Sequence, residues 1–305
     1  MEASEQLRHR LASGPPLLLD SAMGTDLERR GIDCRLPLWS AHALLEAPEQ
    51  VLAVHRENVA AGAEVLTANT FRTHRRTLAK EGLGERASDL TRQAVWLARQ
   101  AASEIAGSPD RVFVLGSLSP LEDCYRPELV PSDTELAAEH GEQARLLLAA
   151  GVDGILVETQ NTIRELVAAV RAAKDTGLPV IASMITDGKG RLLSGEPIGD
   201  AVADLRPLAP DAFSINCVPA RTLGNDLERL AAAASGFPLG AYGNLGPPAD
   251  PEGRQFSEEI DPVAFAGLAA EWISIGARLV GGCCGTTAAH TAAIAALFKP
   301  PSKNV

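Results

Sequence analysis

Three cysteines occupy positions where they could share a metal ion. Cys283 and Cys284 are adjacent and follow the apolar run Arg278–Gly282. Cys217 directly follows a second such run, Ala212–Asn216. Each run reads as a short strand, and if both strands belong to one parallel barrel, their carboxyl ends lie side by side. Three thiolates with one open position describe a catalytic Zn²⁺ site, which is what the pattern predicts, whereas a structural site is normally closed by a fourth protein ligand.

Eight short apolar runs, each followed by a loop and a helix-like stretch, indicate the elements that would position these thiols. The runs are 16–20, 64–69, 112–116, 154–158, 179–184, 212–216, 239–242 and 278–282. Apolar runs without alternation are typical of strands buried on both faces of a parallel sheet. They predict a single-domain (β/α)8 TIM barrel over residues 15–298, with an N-terminal extension at 1–14 and a C-terminal tail at 299–305. The competing layout, a doubly wound open sheet, would usually show a glycine-rich phosphate fingerprint after the first strand, and residues 20–24 do not contain one.

Charge and cysteine content bound the partners and the compartment. The net charge is −11 and no basic stripe is present, which argues against a nucleic-acid partner. No apolar run approaches the roughly 18 residues needed to cross a bilayer, and the amino terminus lacks the apolar core of a signal peptide. Five cysteines, two of them vicinal, do not resemble a disulfide framework and favour a reducing compartment. We therefore expect a cytoplasmic protein with no membrane or nucleic-acid partner, and the sequence leaves a homo-oligomer open.

The chemistry of such barrels gathers at the carboxyl ends of the strands. These positions hold no histidine and no lysine placed to form a Schiff base, which disfavours aldolase-type chemistry and general-base isomerisation. Besides the three thiols, the candidate site residues at the strand ends and on neighbouring loops are Asp20, Trp39, Asn69, Phe71, Glu158, Asn216, Tyr242 and Asn244.

Several motifs match a known family. They are residues 19–31, 37–40, 66–71, 216–217 and 281–287. With these motifs, the chain resembles the zinc-dependent homocysteine S-methyltransferases, such as the S-methylmethionine– and betaine–homocysteine methyltransferases, from about residue 15 to its end. The resemblance implies a barrel in which Cys217, Cys283 and Cys284 hold zinc and the metal binds the sulfur of homocysteine.

The resemblance also implies roles for residues around the substrate. The carboxylates near the amino acid fall on Asp20 and Glu158, although either could instead cap a helix or pair with an arginine. A Tyr-Pro-Asn segment of the family is matched by residues 242–244, with Gly243 in place of proline. The three asparagines at strand ends could bind the substrate carboxylate or hold the loops.

The predicted set of three thiolate ligands indicates what reaction the metal would support. Three cysteine thiolates bring Zn²⁺ to a net charge of −1, so a fourth thiolate is bound deprotonated and stays nucleophilic. The methyl donor then needs a sulfonium or quaternary ammonium group, and aromatic faces attract such cations by about 0.5–2 kcal/mol each. The aromatic candidates are Trp39, Phe71, Tyr125 and Tyr242, and for Trp39 and Phe71 a packing role is equally open.

The leading hypothesis is therefore a methyltransferase that converts homocysteine to methionine, with S-methylmethionine or S-adenosylmethionine as donor and betaine as a further option. One alternative is a barrel enzyme for a phosphorylated metabolite, with Gly281, Gly282 and Gly285 cradling the phosphate. Another is a non-catalytic, thiol-binding subunit of a multi-protein methyl-transfer system. Cys34 and Cys124 are interpreted as bystanders.

Overall fold

The computed structural model describes residues 3–105, 112–246 and 260–298. The strands are β1 Leu17–Leu18, β2 Val65–Ala68, β3 Phe113–Leu118, β4 Gly154–Gln160, β5 Val180–Met184, β6 Ala212–Pro219, β7 Leu239–Asn244 and β8 Ala277–Gly282. The helices are α1 Ala3–Ala12, α2 Gly24–Arg29, α3 Ala43–Glu46, α4 Pro48–Ala60, α5 Arg75–Ala79, α6 Ala87–Ile105, α7 Asp133–Ala150, α8 Ile163–Lys174, α9 Ile198–Leu205, α10 Ala220–Ala233, α11 Pro262–Ile275 and α12 Ala288–Leu297. The predicted tail at 299–305 lies outside the described residues.

The strands form a closed ring. The sheet order is β1-β8-β7-β6-β5-β4-β3-β2, and each neighbouring pair is parallel. The two ends of this order meet because Leu19 bridges Val65, and the backbone N–H of Asp20 donates to the Val65 carbonyl at 3.0 Å. The predicted single-domain (β/α)8 barrel is thus confirmed. Every strand overlaps one of the eight apolar runs, and β3, β4, β6 and β7 extend two or three residues beyond theirs.

Several helices begin and end at residues that are typical helix caps. Ser132 begins α7 with a reciprocal capping box to Glu135, and Gly151 ends that helix with φ at +83°, a conformation that glycine adopts without strain. Asp261 accepts hydrogen bonds from two backbone N–H groups in the first turn of α11, directly before Pro262. Among the described helices, none is long and apolar enough to cross a membrane.

Helix α1 packs against the lower end of the barrel, where the strands begin. Its Leu7 and Leu11 are fully buried and join the apolar cluster inside the barrel. Gly154, the first residue of β4, has no side chain, and a Cβ there would lie 2.9 Å from a methyl group of Leu7. The apolar interior is therefore closed below by this helix, while the polar residues lie at the opposite end. The boundary placed at residue 14 stays a prediction.

Candidate metal centre and substrate cavity

The three thiols predicted to converge lie together at the carboxyl ends of β6 and β8. All three Sγ atoms are within 4.8 Å of one another, and the Sγ atoms of Cys217 and Cys284 are 3.9 Å apart. Tetrahedral zinc with bonds of about 2.3 Å to sulfur separates its sulfur ligands by about 3.8 Å. No disulfide joins these cysteines. The donor set and its spacing therefore fit a metal ion bound by three thiolates, and the identification of these residues as ligands stays a prediction.

Irregular backbone at the ends of β6 and β8 brings the thiols close together. Cys217 has a φ of +58°, a left-handed conformation uncommon for a residue with a side chain, at the point where the pairing of β6 with β7 becomes irregular. The N–H of Cys283 donates to the Gly243 carbonyl at 2.8 Å, which fixes the loop after β8 against β7. A Cβ at Gly243 would lie 3.0 Å from the Ala220 Cα and 3.1 Å from the Trp272 ring. Close packing thus accounts for a glycine at this position, where the resemblance implies a proline.

The glycines around the vicinal cysteines also have a structural explanation. A Cβ at Gly282 would collide with the side chain of Thr286. The N–H of Gly285 donates to the Thr25 hydroxyl at 2.9 Å, and its φ is +85°. The phosphate-binding alternative depended on these glycines. Their packing contacts explain Gly282 and Gly285 without a phosphate.

Asn216 fixes the strand ends rather than facing the cavity. Its Oδ1 accepts from the Thr159 N–H at 2.9 Å and from the Ser183 hydroxyl at 2.7 Å, and its Nδ2 donates to the Thr159 hydroxyl at 2.8 Å. Thr159 has a φ of +59°, so the amide stabilises a strained bend in β4 next to Cys217. These three bonds turn the amide towards β4 and β5, and Asn216 is absent from the described residues that line the cavity.

Asn244 also lies behind the cavity wall. Its Oδ1 accepts from the Cys284 N–H at 3.1 Å, and its side chain is fully buried. The side chain is one of the groups that lower the pKa of the Cys217 thiol. Asn244 is thereby placed to orient two of the cysteines, and neither it nor Asn216 belongs to the described residues that line the cavity.

Hydrogen bonds among the three thiols shift their pKa values in opposite directions. Hydrogen bonds from the thiols of Cys283 and Cys284 hold the pKa of Cys217 well below its ordinary value, and the Tyr125 hydroxyl, 3.4 Å from its sulfur, adds to the effect. The same interactions keep the pKa values of Cys283 and Cys284 well above the ordinary value. Metal binding has to displace the protons that these thiols hold in its absence.

The thiols open into a cavity at the carboxyl end of the barrel. Of the residues predicted from the sequence, those that line it are Asp20, Trp39, Asn69, Phe71, Tyr125, Glu158, Cys217, Tyr242, Cys283 and Cys284. Of the two cysteines interpreted as bystanders, Cys124 also lines the cavity, whereas Cys34 is buried in the outer core, where burial raises its pKa to about 12.

Two buried acidic residues, Asp20 and Glu158, line the inner part of this cavity. Asp20 accepts a hydrogen bond from the Thr67 N–H at 2.8 Å, and burial raises its pKa to about 8. Glu158 accepts from the hydroxyls of Ser117 and, at 3.1 Å, of Tyr242, and burial raises its pKa to about 7. Because a nearby cation favours the ionised form, the ammonium group of a ligand would stabilise both carboxylates.

Trp39, Phe71 and Tyr125 form an aromatic wall of the cavity, and hydrogen bonds fix the segments that carry Trp39 and Phe71. Asn69 accepts from the Ser40 hydroxyl at 2.6 Å and donates to the Ser40 carbonyl at 2.8 Å, which fixes the short 3₁₀ helix Trp39–His42 beside the cavity. The carbonyl of Phe71 accepts a hydrogen bond from the Ser119 hydroxyl of the neighbouring loop. The Tyr125 hydroxyl lies 3.4 Å from the Cys217 sulfur, and Trp39 and Phe71 line the same cavity, so the aromatic residues that an onium-binding pocket requires are present.

Two charged residues of the cavity were not predicted. Arg72 follows Phe71, and Asp123 lies in the loop after β3, and both line the cavity. The position of Arg72 directly after a strand-end motif is a weak signal, since surface arginines also occupy such positions. Asp123 carries no sequence signal beyond its place in a long polar loop.

Comparison with known proteins gives the family. The model of the family described as homocysteine S-methyltransferase matches residues 17–298. The homocysteine S-methyltransferase YbgG of Bacillus subtilis is 31% identical over 310 residues, covering 95% of this chain and 96% of that protein. A methionine synthase of Mycobacterium tuberculosis is 33% identical over 304 residues, and the chain, matched over 94% of its length, spans 25% of that larger protein. The crystal structure of the homocysteine methyltransferase MmuM from Escherichia coli in its metallated form matches with a TM-score of 0.82 at 31% identity, covering 95% of this chain and 99% of that one. The chain belongs to the homocysteine S-methyltransferase family.

Proposed function

We propose that this protein is a zinc-dependent enzyme that transfers a methyl group from a cationic donor to the sulfur of homocysteine and so forms methionine. The observation that carries the proposal is the cluster of three thiols, within 4.8 Å of one another, which opens into a cavity with two buried carboxylates. An all-thiolate donor set favours zinc over harder divalent ions such as magnesium. The names of the relatives support homocysteine as the acceptor.

Cys217, Cys283 and Cys284 would hold the metal. When bound, zinc would supply a substrate thiol that is deprotonated at neutral pH. The chain's own residues would orient the acceptor, since Asp20 and Glu158 face the cavity and can accept hydrogen bonds from its ammonium group. The hydroxyls of Ser117 and Tyr242 keep the Glu158 carboxylate in place for this role.

The donor pocket would be formed by the aromatic wall. In the transfer, the new bond from sulfur to the methyl carbon forms as the donor's bond to that carbon breaks, and the electron pair of the broken bond neutralises the donor's positive charge. Because charge is lost, a partly desolvated pocket favours the reaction. Trp39, Phe71 and Tyr125 provide such surroundings with ring faces that still attract the cation. We infer a sulfonium donor, S-methylmethionine or S-adenosylmethionine, ahead of betaine.

Metal analysis of cysteine variants tests the proposal. We expect about one zinc per chain in the purified protein and less than about a tenth of that when Cys217, Cys283 or Cys284 is replaced by alanine. Cys34→Ala is the matched control, since this cysteine is buried in the core and should leave the zinc content unchanged. Zinc retained in all three site variants would refute the metal centre.

An activity assay distinguishes a self-sufficient enzyme from a non-catalytic, thiol-binding subunit. The isolated wild-type chain should form methionine from homocysteine and a sulfonium donor, measured by mass spectrometry, and the three cysteine variants should not. If a zinc-loaded chain forms no methionine with S-methylmethionine, S-adenosylmethionine or betaine, the assignment as a self-sufficient enzyme is wrong.

A further inference from the structure

Arg72 is a buried cation on the cavity wall. The residue is 6% exposed, and it is the one positively charged residue among the described residues that line the cavity. Its Nη1 donates to the Glu122 carbonyl at 3.0 Å, and its guanidinium carbon lies 5.2 Å from the centroid of the Phe71 ring. Its Nε is buried and has no hydrogen-bond partner. Throughout the three described ranges, no carboxylate lies within ion-pairing distance of this guanidinium.

The carboxylate of Glu122, whose backbone carbonyl Arg72 contacts, is engaged by other cations. The carboxylate of Glu122 is bound by Arg76 at 3.2 Å and by Lys80 at 2.5 Å. Buried charges are normally paired, because an isolated ion loses its hydration without compensation. A guanidinium with unused N–H groups in a fork matches a carboxylate, which can accept two of them side by side. Arg72 is therefore arranged to bind an anionic group of a ligand.

Its position points to the outer of two ligand sites. Asp20 accepts its hydrogen bond from Thr67 within β2, and Glu158 lies within β4, so both belong to the inner layer of the cavity. Arg72 follows the end of β2 at Ala68, so its backbone belongs to the loop beyond the strand and not to the barrel wall. In the described part of the chain, the inner layer, with its two carboxyl groups, offers no cation to a ligand carboxylate, whereas Arg72 does.

Asp123 complements Arg72 in this outer layer. It is half-buried, lies beyond the end of β3 and lines the same cavity. Its Oδ1 accepts from the N–H of Tyr125 at 2.9 Å, which fixes the carboxylate on the loop that carries that aromatic ring. The Arg72 Nη1 bonds to the residue directly before Asp123, so the cation and the anion are held on adjoining segments. A positive and a negative group that line one cavity from adjoining segments match the carboxylate and the ammonium of an α-amino acid.

We propose that Arg72 and Asp123 bind the amino-acid head group of the methyl donor, with the donor carboxylate on Arg72 and its ammonium on Asp123. The inference rests on the proposed methyl transfer and names the donor class, a sulfonium α-amino acid. Betaine, which has a carboxylate but no ammonium group that can donate hydrogen bonds, engages Arg72 alone and is the poorer donor. The onium group then extends from this outer site towards the thiols, between Phe71 and Tyr125.

A chemical double-mutant cycle tests the pairing. The donors are S-methylmethionine and its carboxamide, in which the carboxylate is replaced by a neutral amide, and the proteins are the wild type and Arg72→Gln. At saturating homocysteine, we expect the donor KM to rise roughly 10- to 100-fold on either change alone, as the loss of a charged hydrogen-bonded pair implies. With both changes together, the second should add less than about threefold. Arg75→Gln, an exposed arginine on α5 that pairs with surface glutamates, is the matched control and should leave the donor KM unchanged.

The outcomes separate the donor site from the reaction itself. If the effects of Arg72→Gln and of the carboxamide on the donor KM multiply, the assignment of Arg72 is overturned. The same holds if Arg72→Gln raises the homocysteine KM and leaves the donor KM unchanged. The carboxamide arm needs only the wild-type protein, so it tests the carboxylate requirement even if the variant is unstable. Calorimetric binding of S-methylmethionine alone, without homocysteine, proceeds without transfer and should weaken by a similar factor in Arg72→Gln. Arg72-dependent binding without turnover would support the site and refute the proposed function, whereas turnover that is independent of Arg72 would do the reverse.

Discussion

Replacing the buried carboxyl of Asp20 by an amide should stabilise the folded protein in a way that depends on pH. Burial raises the pKa of Asp20 from 3.8 to about 8, so at pH 7 folding must either protonate this group or bury its charge. The difference between pH 7 and the unfolded pKa corresponds to a cost on the order of 4 kcal/mol at about 1.4 kcal/mol per pH unit. Asparagine has nearly the same shape, can still accept the Thr67 N–H through Oδ1, and does not titrate.

The sign and the pH window follow from the proton count. Between about pH 4 and pH 8 the folded wild type holds one more proton than its unfolded chain, so its free energy of unfolding falls as the pH rises. We expect Asp20→Asn to have little effect near pH 4, to gain stability by about 1.4 kcal/mol per pH unit at most, and to reach a constant gain above pH 8. The same variant should raise the homocysteine KM, because it loses the anionic partner of the substrate ammonium.

Urea denaturation followed by circular dichroism at pH 5, 6.5 and 8 measures the gain, with the zinc content of both proteins determined beforehand. The exposed Asp175→Asn is the matched control, and its effect should stay within about 0.5 kcal/mol at every pH. A gain for Asp20→Asn that is equal at pH 5 and pH 8 would contradict the raised pKa. A loss of stability at pH 8 would contradict the reasoning as a whole.

Two further substitutions test how the site is held. Asn216→Ala removes three hydrogen bonds from a fully buried amide and should lower the free energy of unfolding by about 2–4 kcal/mol in urea denaturation, while the exposed Asn225→Ala should change it by less than about 0.5 kcal/mol; equal effects would show that the bonds do not support the strand ends. Tyr125→Phe keeps the ring and should leave the donor KM within about threefold, whereas Tyr125→Ala should raise it about 3- to 30-fold, the range expected for a cation–π contact. Steady-state kinetics with a sulfonium donor compares the two, and similar losses in both variants would mean that the hydroxyl rather than the ring matters.

The barrel was predictable because its strands are buried and largely apolar. Strands such as β3 and β4 are buried along their whole length, so a parallel sheet covered on both faces leaves a direct trace in the sequence. Helix α1 left a weaker trace, since Leu7 and Leu11 are two apolar residues in a polar stretch. Their burial depends on the lower end of the barrel being there to receive them, which the local pattern does not contain.

The site was predictable only where a residue type implies its chemistry. Adjacent thiols between glycines suggested a metal, and the structure places the thiol of Cys217 beside them. The direction of an amide is not encoded in this way, and Asn216 bonds to strand ends although its position in the sequence suggested a substrate contact. Arg72 was missed for the converse reason, because the absence of a counterion is a property of its neighbours in space.

Because helix α1 closes the lower end of the barrel, it also has a consequence for the order of substrate binding and product release. With the lower end filled by leucine side chains, both substrates have to share the entrance at the carboxyl ends of the strands. The acceptor, held between the inner carboxylates and the thiols, would be covered by a donor bound at the outer site. Homocysteine should therefore arrive first, and the demethylated donor should depart before the newly formed methionine is released.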